Sequence, residues 1–308
     1  MTSHVNTSVD RHVFLLGRPP ISDLLGFIRN FGIEGQDADQ GALTAEWRKA
    51  NDHVRVLEKE EEGLADKVKA SPLPSDLLQL AQRVLNDGMF QRAFRFVPSE
   101  IAMVPLDRLV VFQKSINLAF VDSLKATLPQ KPLPADAMRL AFGLDRPDPP
   151  VQMMQNAQNV FTFVSPSNDF RFLEPISIRP ETVPNLPTTG RPTALIGLIV
   201  GFGSNYLNAM SVDGRLVLNN GSHRAYALRE LGFERAPCLV QNVSRQEELE
   251  LVAAGDFLQN PDRYLKTKRP PLLKDYFDDK LRKIIEVRRK NRLVRLQFGV
   301  DQSDVPAA

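Results

Sequence analysis

The sequence predicts an α+β fold, a small mixed sheet with helices against it, set between a helical N-terminal region and a basic C-terminal β-hairpin. Three stretches carry that expectation. Across Val212–Gly232 a strand-like alternation gives way to helical spacing at Gly221-Ser222. Between Leu43 and Val84 the apolar residues recur at steps of three and four. From Leu293 to Val300, Val294, Leu296, Phe298 and Val300 alternate with Leu293, Arg295 and Gln297, the period of a half-buried strand.

In chain order, Val13–Leu16 is a short apolar run stopped by Gly17-Arg18-Pro19-Pro20, and Ile21–Asn30 reads as a short helix. Leu43, Trp47, Ala50, Val54, Leu57, Leu64 and Val68 mark a long amphipathic helix with a break at Glu61. Asp76–Leu85 reads as a second helix, with Leu77, Leu80, Ala81 and Val84 inward, and Pro72 and Pro74 in the connection. A helical hairpin over 43–85 is one candidate surface for a protein partner; a solvated face is the plainer reading of its charge run Glu58–Glu62. Ile101–Phe112 has extended character around Pro105. Six prolines between 129 and 150 surround one short helix, Ala135–Phe142, and suit a boundary.

Val160–Val164 is a strand candidate, followed by a turn at Ser165–Arg171. Glu174–Pro180 reads as a further strand. Thr193–Gly201 is nearly all apolar and is expected as a buried helix. A hairpin turned at Asp213-Gly214 joins Tyr206–Val212 to Arg215–Leu218. A helix then carries Ala225, Leu228 and Leu231 on one face and stops at Gly232. Arg235–Val243 reads as a return strand, and Ser244–Glu247 as a capping box opening another helix. Leu273–Leu281 reads as a short helix, and Ile284–Val287 with Leu293–Val300 as a hairpin turned near Lys290-Asn291. The expected segments are a mostly helical region at 1–150, a central α+β domain at 151–260 and a basic extension at 261–308.

Charged residues make up 25% of the 308 residues and hydrophobic ones 43%, as in ordinary globular proteins. One cysteine excludes an intrachain disulfide and fits a reducing compartment. No run approaches the ~18 apolar residues of a membrane span, and MTSHVNTSVDRH lacks a signal core. A soluble cytoplasmic protein is the expectation. The four histidines accompany no cysteine cluster, which argues against structural zinc. The net charge of +2 hides an uneven distribution: residues 263–295 hold 13 Lys or Arg against four acidic residues. Such a stretch can contact nucleic-acid phosphates, or can serve as a charged strand edge.

The strand–turn–helix at Asn219–Arg224 places first-turn backbone N–H groups and the positive end of the helix dipole beside Ser222, His223 and Arg224, an arrangement that attracts phosphate. A simply capped helix is the plain alternative. The run Gly221-Ser222-His223-Arg224 resembles the signature of the ParB/sulfiredoxin superfamily, in which a strand leads through such a turn into a helix. Ala236–Gln241 resembles the return strand of sulfiredoxins, and Ile178-Arg179-Pro180 their short Ile-Arg-Pro element. The likeness covers about residues 173–256. It implies a compact mixed-sheet domain and nucleotide chemistry, since the superfamily includes nucleases, CTP-hydrolysing partition proteins, ATP-using sulfiredoxins and a free-serine kinase.

The expected ligand is a nucleoside triphosphate, ATP or CTP, with Mg²⁺ as an allowed companion. The candidate binding set is Asn219, Asn220, Gly221, Ser222, His223 and Arg224, with Arg179, Asp169 and Arg171 as outlying members. Within it, Arg224 would hold phosphate, His223 would donate or carry a proton, and Ser222 would make a polar contact or accept a phosphoryl group. Ser222 stands where sulfiredoxins carry their cysteine, and Cys238 lies in an apolar strand where burial keeps a thiol inert. Sulfinic-acid reduction is therefore disfavoured. Two other classes stay open: a DNA-associated ParB-like protein and a non-catalytic scaffold.

Overall fold

The computed structural model describes residues 9–185, 188–253 and 255–306. They form two units, each built from two separated stretches of chain: 1–145 with 205–289, and 146–204 with 290–308. The units therefore do not follow the three consecutive segments expected from the sequence. In particular, 173–204 and 205–256 belong to different units.

The first unit begins with β1 (Val9–Leu15), buried throughout Val13–Leu15, and α1 (Ile21–Phe31), ended by Gly32. The long helix α2 (Gln40–Glu60) is capped by Asp39, which accepts the Ala42 N–H at 3.0 Å. It stops at the expected break, before Leu64 and Val68. Its seam of Leu43, Ala50, Val54 and Leu57 packs with α1 and β1. A 3₁₀ turn at Ser75–Leu77 leads into α3 (Leu78–Leu85), followed by α4 (Gly88–Ala93). The buried side of α3 joins a different core, under the central sheet. The 43–85 region thus divides its apolar faces between two cores and does not form the self-packed hairpin that the spacing suggested.

Next come β2 (Ser99–Pro105), β3 (Val110–Val111), β4 (Ser115–Asn117), α5 (Leu118–Lys125) and α6 (Pro134–Phe142), the last closed by Gly143 in the left-handed region. The second unit takes up β5 (Gln152–Ala157), β6 (Val160–Ser165), β7 (Phe170–Ile178) and β8 (Leu195–Phe202). The chain returns to the first unit for β9 (Asn208–Val212), β10 (Arg215–Asn220), α7 (Ser222–Glu230), β11 (Arg235–Asn242), α8 (Gln246–Val252), α9 (Gly255–Gln259), α10 (Asp262–Leu265) and β12 (Arg282–Arg288). β13 (Arg292–Gln297) belongs to the second unit.

The main sheet runs β2-β11-β9-β10-β3 and is mixed: β11 lies parallel to β9, and β3 parallel to β10, while the other pairs are antiparallel. Period-two alternation buries it on both faces. Leu216, Leu218 and Ala209 enter one core with α6 and α7, and Val217, Met210 and Val110 enter another with α8 and α9. This mixed helix-and-sheet architecture agrees with the α+β expectation.

Three local expectations fail. Thr193–Gly201 is not a buried helix: β8 pairs antiparallel with β7, Phe170 opposite Phe202 through Ile178 opposite Leu195. An unbroken apolar run has no period to separate the two states. Gly197 and Gly201 also fit a strand, because Ile176, Ile178 and Leu173 from the neighbouring strand lie over them. The basic C-terminal β-hairpin does not form either. β12 pairs with β1, and β13 with β6, so the two strands enter different sheets. Leu273–Phe277 is a 3₁₀ turn, shorter than the helix expected over 273–281.

Candidate functional site

The β9–β10 turn takes positive φ at both Asp213 (49°) and Gly214 (75°), the type I′ signature that Asp-Gly favours. β10 then delivers the chain to Gly221, which has φ of 87° and precedes the first residue of α7. A Cβ here would lie 2.8 Å from the Cα of Leu207. Close packing on Leu207 therefore takes up the room that a glycine leaves. Asn220 Oδ1 accepts the Gly221 N–H at 2.7 Å, and Asn219 Nδ2 donates to the Val252 carbonyl at 2.8 Å. The Oδ1 atoms of Asn219 and of Asn208 on β9 are buried with no hydrogen-bond partner among the described residues. The helix ends at Gly232 as expected, with Phe233 N–H on the Leu228 carbonyl and Gly232 N–H on that of Arg229.

The first backbone bond of α7 runs from the Ala225 N–H to the Gly221 carbonyl at 2.9 Å. The N–H groups of Ser222 and His223 come before it and have no carbonyl within the helix to reach. Ser222 is half-buried and begins the helix; Gly221, the residue before it, is the cap, with no side-chain bond. His223 Nε2 accepts the backbone N–H of Asn117 at 3.0 Å, which places the ring proton on Nδ1. Phe120 meets the imidazole edge-on at 5.2 Å. Desolvation, helped by the nearby charges of His12 and Arg224, lowers the His223 pKa from 6.5 to about 4. His223 is thus a neutral acceptor bound to its own fold at neutral pH, and the role of proton carrier does not suit it. Arg224 is buried, with Nη1 donating to Asn205 Oδ1 at 2.5 Å and Nη2 beside Gly143 at the end of α6.

Asp169, Arg171 and Arg179 belong to the second unit. Asp169 and Arg171 pair at 3.4 Å, and the Arg179 carbonyl accepts the Thr182 hydroxyl at 2.7 Å. Tyr226 packs in the core, stacked on Phe277 at 4.4 Å and edge-on to Tyr276. Cys238 is fully buried on β11, and burial raises its thiol pKa. A low-pKa nucleophile is absent at that position.

The loop after β3 supplies residues that sequence reasoning missed. Val111 pairs beside Leu218, and Asn117 bonds to His223, so Phe112–Ile116 runs from the end of the parallel pair β3–β10 to the start of α7. Lys114 on this loop contacts Asp23 at 2.8 Å and Asp256 at 3.9 Å. Asp256 also accepts the Tyr264 hydroxyl. Nothing in local spacing marks these groups; the one local sign is Asn117, which caps α5 by accepting the Phe120 N–H at 3.1 Å.

The basic stretch 263–295 is largely used within the fold. Arg263, Lys266, Lys268, Arg269, Lys274, Arg282, Lys283 and Arg289 each have a carboxylate partner within 4.0 Å. Arg269 is fully buried between Asp275 and Glu61. Among the described residues no cluster of three His, Cys, Asp or Glu side chains is placed to hold a metal, and no helix is long and apolar enough to cross a membrane. No protein-family model, curated protein or solved structure matches this chain.

Proposed function

We propose that the chain binds a nucleoside triphosphate at the first turn of α7 and uses it in phosphoryl transfer or hydrolysis. One observation carries the reading. β10 passes through a left-handed Gly221 into a nine-residue helix whose leading N–H groups have no carbonyl within the helix, shortly after Asn219, whose amide oxygen has no protein donor among the described residues. The N–H groups suit phosphate oxygens, because the helix dipole adds to their partial charge. The Asn219 oxygen suits a donor on the same ligand, such as a ribose hydroxyl or an exocyclic amine. Ser222, half-buried at the first helical position, adds a hydroxyl contact. Arg224 acts from behind the turn, holding Asn205, and Mg²⁺ accompanies the nucleotide. The likeness of Gly221–Arg224 to the ParB/sulfiredoxin signature supports the same reading.

Titration calorimetry with ATP, CTP and GTP in the presence of Mg²⁺ tests it. Binding of at least one nucleotide is expected. Ser222→Asp should reduce its affinity more than tenfold, roughly 1.4 kcal/mol or more, by placing a carboxylate against the phosphates. The helix itself should persist, since an acidic residue in the first turn is favourable. Absence of binding by all three nucleotides, or unaltered affinity in Ser222→Asp, would overturn the assignment.

A further inference from the structure

The second unit contains a strand edge that carries none of the usual protection. β8 reads Leu-Ile-Gly-Leu-Ile-Val-Gly-Phe over Leu195–Phe202, with no charge and no proline. Among the described residues β7 is the strand that pairs with it, in a two-stranded sheet. The register of β8 is regular along its whole length; the irregularity in this pair falls on β7, between Phe172 and Glu174. Ile196 is 79% exposed and Leu198 42%. A two-stranded ribbon is at best marginal in water, and natural edges are normally blunted by Lys, Pro or a bulge. β5, the other uncharged edge of this unit, has such a defence: a register shift between Gln155 and Ala157, with amide side chains along it. β8 has none.

We propose that β8 pairs with β8 of a second copy of this chain, antiparallel about a two-fold axis, giving a four-stranded sheet β7-β8-β8-β7. Self-pairing requires that each residue tolerate its own counterpart nearby. An antiparallel two-fold pairing sets residues of the same face opposite one another, so Ile196, Leu198 and Val200 of one copy continue the row of the other. A charge near the middle of such a strand would meet its own like charge across the axis. β8 has none along its eight residues, which favours a second copy over a partner recognised by charge. Gly197 and Gly201 keep the opposite face low under Ile176, Ile178 and Leu173, so the strand stays flat to its edge.

Sedimentation velocity on the full chain across a concentration series tests this, with nucleotide absent so that the result is independent of ligand binding. A monomer–dimer equilibrium is expected. Ile196→Lys with Leu198→Lys should weaken it at least about tenfold by setting like charges across the axis. At concentrations where the parent is monomeric, circular dichroism and the unfolding midpoint should match the parent's, because both side chains are already exposed. Met153→Lys with Met154→Lys on β5 should leave the equilibrium as it was. A parent chain monomeric at every concentration would overturn the proposal and hand the edge to a strand of some other protein. A dimer untouched by the β8 changes, or abolished by the β5 changes, would overturn it too.

Discussion

His223 is held by two groups at the start of α5, the Asn117 N–H at Nε2 and the Phe120 ring at its edge. Protonating Nε2 would break the first contact and strand a charge in the second. Its pKa of about 4 against an ordinary 6.5 is therefore a statement about stability. Between those values the unfolded chain binds a proton that the folded chain refuses. Stability should fall as pH drops from about 6.5 to about 4, by up to about 3 kcal/mol from this residue alone, and level off below. His12, also lowered by burial, adds to the same slope. Urea unfolding at several pH values checks this: His223→Gln should flatten the dependence, and a slope equal to the parent's would assign the effect elsewhere. Sequence spacing pointed to the turn holding His223 but gave its side chain the wrong partner. The acceptor's donor lies 106 residues away, and local pattern carries no record of such a distance.

At the level of elements, the segment that follows α10 is fastened by two arginines. Arg215 of β10 donates to Asp66 and to the carbonyls of Tyr264 and Thr267, each at 2.7 Å. Arg269, wholly buried, meets Asp275 through both Nη atoms at 2.5 Å and Glu61 at 3.0 Å, tying the end of α2 to the 3₁₀ turn. Arg269→Met should cost about 3–5 kcal/mol, because it leaves a buried carboxylate without its cation. Adding Asp275→Leu should recover much of that loss, since a buried pair replaced as a unit is often close to neutral. Equilibrium unfolding of the two variants distinguishes a true pair from independent contributions. These arginines also show why the basic stretch misled. Composition reveals 13 cations over 263–295, but not the carboxylates at Glu46, Glu61, Glu62 and Asp10 that meet them. Elements with a clear period were legible: α1, α2, the β9–β10 hairpin, α7 and its Gly232 stop. β8 was not, because a strand of alternating Ile, Leu and Gly exposed on its edge looks, letter by letter, like a buried helix.

At the scale of the whole molecule, local signals placed several strands but not their partners. β12 and β13 are separated by a three-residue polar link, a common hairpin loop length, yet each pairs with a distant strand. Ending the chain after Arg289 should remove β13 from β6 while leaving β1–β12 intact. Hydrogen exchange would then show lost protection across Val160–Ser165 and retained protection across Val9–Leu15; loss in both would mean that the two sheets fold as one. The same pairing has a bearing on synthesis. Val9 lies opposite Arg288 and Val13 opposite Ile284, so during synthesis β1 has to wait for a strand made much later. Until then only β4 is there to flank β1, and α2 has no β12 beneath its seam. A chain arranged this way keeps this core open and in need of shelter until β12 has been made.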